Sequence, residues 1–264
     1  MAKNSRYIQS NDNPLVFTHR FTLTAGDCDC ARRMPLPWLL RKVIETATLH
    51  ANRLGIGYRD LAPMGIVWVL SRVTMRVDRY PGPNEDLSLT TWVQDATRLY
   101  STRCMTLSDA DGKPMAHITS MWVCINITER TAADISALSL DRFVSPDIVC
   151  PLPRTRKLPV VALDGATTVV NRRFEYSDVD FNGHVNSARY AECVLDLWTP
   201  ETYQKFLPAE FVINYLHECR YGQTAVIAAD ERLDSDTGTM NATVTLRCDD
   251  KPCVNVAIRF EPAQ

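Results

Sequence analysis

The sequence contains no long hydrophobic run, no large excess of charge and few histidines. No stretch approaches the roughly 20 apolar residues of a membrane-spanning helix, and residues 1–7 lack the apolar core of a secretory signal. The net charge is -2, so no broad basic surface indicates binding to nucleic acid or to an anionic membrane. We therefore expect a soluble cytoplasmic protein, or the mature form of a chain that has lost a transit peptide.

Paired Cys-x-x-Cys spacing is also missing, although nine cysteines are present. They stand at Cys28, Cys30, Cys104, Cys124, Cys150, Cys193, Cys219, Cys248 and Cys253. The odd number and the spacing favour reduced thiols over a disulfide framework or a zinc site. Cys28-Asp29-Cys30 has no second pair and is interpreted as incidental. We predict no cofactor and no bound metal.

The composition is that of a globular protein, with 45% hydrophobic and 23% charged residues in a chain of 264. In the first half, apolar residues recur at helical spacing from Leu36 to Leu54. Alternating and β-branched segments predict strands at residues 17–24, 67–77, 87–94, 100–107 and 116–127. This order, a strand, a helix and then an antiparallel meander, suits one compact unit.

A proline-rich segment at 146–164 predicts an extended linker between two units, 1–145 and 165–264. Beyond the linker the order of elements repeats, with a helix predicted at 187–198. Strands are predicted at 167–174, 211–215, 225–230, 241–247 and 254–260. The chain is therefore interpreted as a tandem duplication.

The register of the repeat can be estimated from matching residues. An offset of 153 aligns Phe21 with Phe174, Asp27 with Asp180 and Asp29 with Asn182. Ala31 and Arg33 then stand opposite His184 and Asn186, so only the second unit carries the full polar set. An Arg-Tyr pair at 79–80 matches another at 220–221 with an offset of 141, which would make the second unit 12 residues shorter (153 minus 141).

The run Asp-Phe-Asn-Gly-His-Val-Asn at 180–186 gathers an acid, two amides and an imidazole directly before a predicted helix. Its structural interpretation is a turn, because Asp, Asn and Gly are turn residues. The segment beginning at Asp178 also resembles the opening of a calcium-binding EF-hand loop. Arg189 stands at the twelfth position, where a bidentate Glu belongs, and this argues against calcium.

Further informative segments lie at 215–220 in the second half and at 68–71, 79–81, 92–93 and 120–123 in the first half. In these segments and in 180–186, the chain resembles the acyl-acyl carrier protein (acyl-ACP) thioesterase family. The resemblance implies an α+β tandem (double) hot-dog fold, in which two antiparallel sheets each wrap a central helix. It also implies hydrolysis of fatty acyl-ACP to free fatty acid and holo-ACP, with the first unit shaping the acyl pocket and the second carrying the chemistry.

Thioester hydrolysis needs an activated water and donors directed at the developing oxyanion. Asn182 can donate an amide hydrogen bond, and His184 can donate or relay a proton. Asp180 can orient a partner or act as base or nucleophile. Glu218 matches the family's second acidic position and is predicted to be the general base, acting through water.

Cys219 is the alternative nucleophile. With His184 and Asn182 it would form a thiol site and an acyl-enzyme. In a regular strand Glu218 and Cys219 would point to opposite faces, so only one of them should enter the cleft unless a bulge intervenes. Buried free cysteine usually acts as a small core hydrophobe.

The other acidic, histidine and tryptophan candidates are expected to have structural roles. Asp27 and Asp29 are interpreted as turn or cap residues, and His217 as structural. The tryptophans at 68, 92 and 122 are expected in the core, where some could line an acyl pocket.

Acyl carrier protein is the predicted partner. Because it is acidic, its docking site should be basic, and the densest basic groups are Arg32-Arg33, Arg41-Lys42, 154–157 and Arg172-Arg173. A monomer with two units could be complete, and a homodimer is a further hypothesis. The alternative functions are an acyl-coenzyme A thioesterase and a non-catalytic acyl-binding protein.

Overall fold

The computed structural model describes residues 13–145 and 147–263, which divide into two compact units. Unit 1 comprises Met1–Ser71 and Val77–Thr155, and unit 2 comprises Arg72–Arg76 and Arg156–Gln264. The N-terminal residues used to judge a signal sequence, and Pro146 of the predicted linker, lie outside the described residues. The linker bounds of 146–164 remain a prediction. No helix among the described residues is long and apolar enough to cross a membrane.

Unit 1 is an antiparallel meander with one long helix. Its sheet has the strand order β1-β3-β4-β5-β2. The strands are β1 (Val16–Thr22), β2 (Ile66–Val77), β3 (Asp86–Ala96), β4 (Tyr100–Ser108) and β5 (Pro114–Asn126). The helices are α1 (Leu36–Arg53) and the short α2 (Tyr58–Leu61), with 3-10 turns at Ala25–Asp27, Ala62–Met64, Ser136–Leu138 and Leu140–Phe143. All five predicted strands and the long helix are confirmed, whereas α2 was not predicted.

The sequence of α1 is compatible with a helix at its start and along its buried face. Pro37 lies in the first turn, where backbone N–H groups have no partner within the helix, so the missing N–H group of proline costs no hydrogen bond. Leu39, Leu40, Val43 and Ala47 repeat at three- and four-residue intervals and are buried. This apolar face packs against β1 and β3, which places the core of unit 1 between the helix and the sheet.

Unit 2 repeats the plan with the antiparallel strand order β7-β10-β9-β8-β6. The strands are β6 (Thr168–Arg173), β7 (Phe206–Tyr215), β8 (Thr224–Leu233), β9 (Met240–Cys248) and β10 (Lys251–Pro262). The helices are α3 (Ser187–Leu195) and α4 (Pro200–Lys205), with a 3-10 turn at Tyr176–Asp178. Within this unit the segment Arg72–Arg76 pairs antiparallel with β7. The predicted strands are confirmed.

Two elements of unit 2 differ from the prediction. Helix α3 ends three residues earlier than expected, and α4 begins at Pro200, because the residue before a proline avoids helical backbone angles. Strand β7 begins five residues earlier than predicted and includes Pro208. The pairing of β7 with β10 shifts register next to Pro208, between Arg259 and Phe260, and such irregularities tolerate a residue without an N–H group.

Residues 147–167 form no helix or strand, and part of this segment lies along unit 2. The N–H group of Leu158 donates to the Asn214 side chain at 2.9 Å, and the N–H group of Val161 donates to the Thr245 hydroxyl at 2.9 Å. Side chains of the sheet thereby satisfy backbone groups of a segment that has no regular structure.

The repeat has an offset of 151 up to the helices, so the sequence-based value of 153 is wrong by two. Helices α1 and α3 begin at Leu36 and Ser187, and 187 minus 36 is 151. Phe174 is equivalent to Leu23, not to Phe21. The N–H group of Leu23 donates to the carbonyl of Glu85, before β3, and the N–H group of Phe174 donates to the carbonyl of Gln223, before β8. The error arose from matching two phenylalanines that occupy different positions.

After the helices the offset is 138, so the sequence-based value of 141 is wrong by three. Strands β2 and β7 end at Val77 and Tyr215, and 215 minus 77 is 138. The side chain of Glu85 accepts the N–H group of Gly82 at 2.7 Å, and Gln223 accepts that of Arg220 at the same distance. The two Arg-Tyr pairs are therefore not equivalent, and unit 2 is 13 residues shorter (151 minus 138).

Candidate active site

The 180–186 run forms a tight loop ahead of α3. The N–H group of Asp180 donates to the carbonyl of His184 at 2.8 Å, and that of Gly183 donates to the carbonyl of Asp180 at 3.0 Å. Gly183 has a φ of 76°, a left-handed conformation that favours glycine. The Asp180 carboxylate accepts the N–H group of Asn182 at 2.8 Å. The loop is therefore a turn, but one that presents Asn182 and His184 from a fixed backbone.

Three hydrogen bonds anchor the end of this loop. The side chain of Asn186 caps α3 by accepting the N–H group of Ala188 at 2.9 Å, while its own N–H group donates to the carbonyl of Asp178 at 2.8 Å. The N–H group of Val185 donates to the carbonyl of Cys219 at 2.8 Å. This last bond ties the loop to the segment that carries Glu218.

His184 and Glu218, two of the predicted site residues, are in direct contact. The Nε2 atom of His184 lies 3.0 Å from Oε1 of Glu218, and the two side chains are 22% and 30% exposed. Arg220 also donates to Oε1 of Glu218, at 3.1 Å. A carboxylate in this position can fix the orientation of the imidazole, and both groups remain accessible to a substrate and to water.

Cys219 points into the core. It is fully buried, its N–H group donates to the Tyr190 hydroxyl at 2.8 Å, and its thiol lies 3.0 Å from that of Cys248. The hydrogen bond with Cys248 lowers the pKa of Cys219, but hydrogen bonding with Cys253 and burial outweigh it and raise the pKa overall. A raised pKa disfavours the thiolate that a nucleophile needs.

Glu218 and Cys219 do not lie in a regular strand, so the alternation of strand faces does not apply to them. Strand β7 ends at Tyr215, so neither residue belongs to it. Their side chains nevertheless diverge, because Glu218 meets His184 while Cys219 is buried.

A buried carboxylate beneath the loop was not identified from the sequence. Asp178 is fully buried and accepts the N–H group of Glu175 at 2.7 Å, Nε of Arg189 at 3.0 Å and Nη2 of Arg172 at 3.3 Å. Arg189 also bonds Glu192. In the sequence Asp178 and Arg189 stand out only as positions of a possible calcium loop, whereas in the structure they form an ion pair beneath the 180–186 loop.

The equivalent loop of unit 1 keeps the backbone but not the chemistry. Asp29 is equivalent to Asp180 and its carboxylate accepts the N–H groups of Ala31 and Arg33, at 2.9 and 3.0 Å. With the corrected offsets, Ala31, Arg33 and Tyr80 replace Asn182, His184 and Glu218. The Arg33 guanidinium lies over the Tyr80 ring, 6.0 Å from its centre. The prediction that Asp29 is a turn residue is confirmed.

Asp27 is likewise structural, since its carboxylate accepts Nε1 of Trp38 at 2.9 Å and the N–H group of Thr24 at 3.1 Å. His217 is exposed, and its N–H group donates to the carbonyl of Cys253. Of the three strand tryptophans, Trp92 is buried and the other two are partly buried.

Several of the predicted docking cations already have acidic neighbours. Lys42 contacts Glu45, Arg154 contacts Asp95, Arg172 contacts Asp178 and Arg173 contacts Glu175, at distances between 2.9 and 3.3 Å. The docking surface remains a prediction.

Both units match models of one protein family. Residues 14–141 match the acyl-ACP thioesterase N-terminal domain, and residues 163–262 match the acyl-ACP thioesterase C-terminal domain. The chain belongs to the acyl-ACP thioesterase family. This confirms the resemblance seen in the sequence and the tandem hot-dog fold that it implied.

Relatives in this family include an acyl-[acyl-carrier-protein] hydrolase of Cuphea viscosissima, named chloroplastic, which is 25% identical over 83% of this chain and 56% of its own length. An acyl-ACP thioesterase structure from Bacteroides thetaiotaomicron is 28% identical, with a TM-score of 0.82 over 93% of this chain and 98% of its own. The 12:0-ACP thioesterase from Umbellularia californica shares the fold, with a TM-score of 0.86 at 18% identity, over 99% of this chain and all of its own. The chain spans about half the length of the curated plant relatives it matches.

Proposed function

We propose that this acyl-ACP thioesterase family member hydrolyses the thioester of fatty acyl-ACP and releases free fatty acid and holo-ACP. The observation that carries the proposal is the 3.0 Å contact between His184 and Glu218, held beside the 180–186 loop. This pair lies in the unit that matches the family's C-terminal domain. The equivalent positions of unit 1, Arg33 and Tyr80, offer neither an imidazole nor a carboxylate.

In this proposal Glu218 acts as the general base. Its carboxylate takes a proton from a water molecule, which attacks the thioester carbonyl, and the proton then passes to the departing phosphopantetheine sulfur. His184, bonded to Glu218, holds the carboxylate in place and relays the proton. Partial exposure of both groups leaves room for the water and the thioester.

Asn182 is proposed as the oxyanion donor. Its side chain is exposed at the tip of a loop that Asp180 fixes through the Asn182 N–H group. Losing one such donor typically raises a barrier by about 3 kcal/mol. Asp180 is therefore proposed as a positioning residue.

Cys219 is the alternative nucleophile, and its surroundings argue against that role. Burial and the raised pKa keep its thiol protonated, and its partner Cys248 lies in the core rather than in the loop. The backbone of Cys219 has a structural role, because its carbonyl accepts the N–H group of Val185 and so holds the 180–186 loop.

The proposed partner is acyl carrier protein bearing an acyl-phosphopantetheine group. The runner-up substrate is an acyl-coenzyme A ester, which carries the same phosphopantetheine thiol. A non-catalytic acyl-binding protein is less well supported, because simple binding has no need of Asn182, His184 and Glu218 together. Association into a homodimer remains a hypothesis.

Single-turnover hydrolysis of palmitoyl-ACP and palmitoyl-coenzyme A, matched in chain length and concentration, tests this function. We expect faster release of palmitate from palmitoyl-ACP. Equal rates on both esters would contradict a preference for ACP and would favour the acyl-coenzyme A thioesterase alternative. No release from either, repeated with shorter and longer acyl chains, would contradict hydrolysis and leave a binding protein.

A further inference from the structure

Three cysteines of unit 2 converge on one point in its core. Cys219 follows β7, Cys248 ends β9, and Cys253 lies near the start of β10. Their sulfur atoms all lie within 4.8 Å of one another, and the Cys219 and Cys248 sulfurs are 3.0 Å apart. The three residues are at most 4% exposed. We call this group the thiol cluster.

A β-bulge helps to bring the thiols together. The pairing of β10 with β9 shifts register between Pro252 and Val254, so Cys253 is the extra residue. A bulge re-aims the side chain of the extra residue. The convergence therefore depends on a local irregularity in the sheet, which is why the spacing of the cysteines in the sequence gave no indication of it.

The simplest interpretation of buried thiols is that they fill the core as small hydrophobes. The repeat provides a comparison, because the offset of 138 makes Pro81 and Met115 equivalent to Cys219 and Cys253. The fold thus builds the same core position in unit 1 without these two thiols. Among the described residues, no other three potential metal ligands of the Cys, His, Asp and Glu types come so close together.

The three sulfur atoms and their apolar surroundings suit a soft cation. A thiolate in an apolar core gains from a bound positive charge, and soft sulfur ligands select soft cations.

We propose that the thiol cluster binds one thiophilic closed-shell cation of the Cu⁺ or Zn²⁺ class. A metal–sulfur distance of about 2.3 Å places three sulfurs around one ion roughly 4 Å apart, so Cys219 and Cys248 separate by about 1 Å on binding. Each thiol that binds as a thiolate releases its proton to water. The site is separate from the proposed hydrolytic chemistry and does not depend on it.

A bound ion would join three segments of unit 2, and it would also reach the loop. The Cys219 carbonyl accepts the N–H group of Val185, and Glu218 precedes Cys219 in the chain. Binding should therefore stabilise unit 2, because an ion that binds only the folded form shifts unfolding by mass action.

The test is titration of the full chain, reduced with a non-thiol reductant, with Cd²⁺ as a spectroscopic probe. We expect one ion per chain, a thiolate-to-metal charge-transfer band and a rise in the melting temperature. Cys253→Ala and Cys248→Ala should bind Cd²⁺ at least about 100-fold more weakly, whereas Cys124→Ala, a buried cysteine of unit 1, should match the wild type. Competition with Cu⁺ and Zn²⁺ chelators then ranks the two ions.

Absence of the band in the wild type, or an equal band in the Cys253→Ala variant, would overturn the proposal. If the alanine variants fail to fold, alkylation of the wild type provides the result. Bound Cd²⁺ should slow modification of Cys219, Cys248 and Cys253, mapped by peptide mass, but not that of Cys124. Equal protection of all four cysteines, or of none, would also overturn it.

Discussion

The buried carboxylate of Asp178 should contribute both to stability and to the geometry of the loop. Asp178→Asn keeps an acceptor for the Glu175 N–H group but removes the charge that pairs with Arg172 and Arg189. A hydrogen bond to a charged group contributes about 1.5–3 kcal/mol. The two arginine side chains are 45% and 29% exposed, so water recovers part of this, and we expect a loss of about 2 kcal/mol in total.

Urea denaturation of the full chain at pH 7, followed by circular dichroism, measures this loss. The matched control is Asp27→Asn, because Asp27 is equivalent to Asp178 but bonds Thr24 and Trp38 rather than arginines. The control should lose less than about 1 kcal/mol. In addition, only Asp178→Asn should lower kcat, because loss of the ion pairs loosens the turn in which the backbone carbonyl of residue 178 accepts the N–H group of Asn186 at the start of α3. Equal losses of stability and full activity in both variants would refute this reasoning.

Two further predictions concern pH and backbone conformation. Burial, together with the Arg103 charge, lowers the pKa of His50 to about 3, so the unfolded chain takes up the proton first as pH falls below about 6.5. The free energy of unfolding should therefore drop by about 2 kcal/mol from this residue between pH 7 and pH 5. His50→Gln should lose that part of the slope, and a slope identical to that of the wild type would contradict the assignment. Gly183→Ala should destabilise the chain by about 1–2 kcal/mol through its positive φ alone, because nothing lies within 4 Å of the added carbon. Arg32, the equivalent residue with a φ of 58°, gives the reverse test: Arg32→Gly should not destabilise, and a loss there as large as at Gly183 would be inconsistent with backbone strain.

Local patterns made most of the fold predictable. Alternating and β-branched segments located the ten strands found in residues 13–145 and 147–263, and the three- and four-residue spacing located α1 and the start of α3. The repeat was recognisable because both units carry the same order of elements. The register of the repeat was not predictable from the sequence. Phe21 and Phe174 match by residue type, whereas the cross-strand hydrogen bonds that make Leu23 equivalent to Phe174 are visible only in the folded chain.

The candidate site was predictable where its residues are close in sequence. The loop at 180–186 and the acid at Glu218 were both identified, and the contact between His184 and Glu218 required the fold. Asp178 was missed because a lone acid two residues before the motif gives no indication of burial. The thiol cluster was missed because three separate segments and a bulge create it.

The central claim is that the His184–Glu218 pair, and not the Cys219 thiol, carries out hydrolysis. Glu218→Gln and Cys219→Ala differ by one position and distinguish the two, and Tyr80→Phe, at the position of unit 1 equivalent to Glu218, is the control. In single-turnover hydrolysis of palmitoyl-ACP, Glu218→Gln should be slower by a factor of about 100 or more, because it removes the general base. Cys219→Ala and Tyr80→Phe should stay within about tenfold of the wild type. Full activity in Glu218→Gln, or loss in Cys219→Ala with an acyl-enzyme trapped on the wild-type thiol, would contradict the claim.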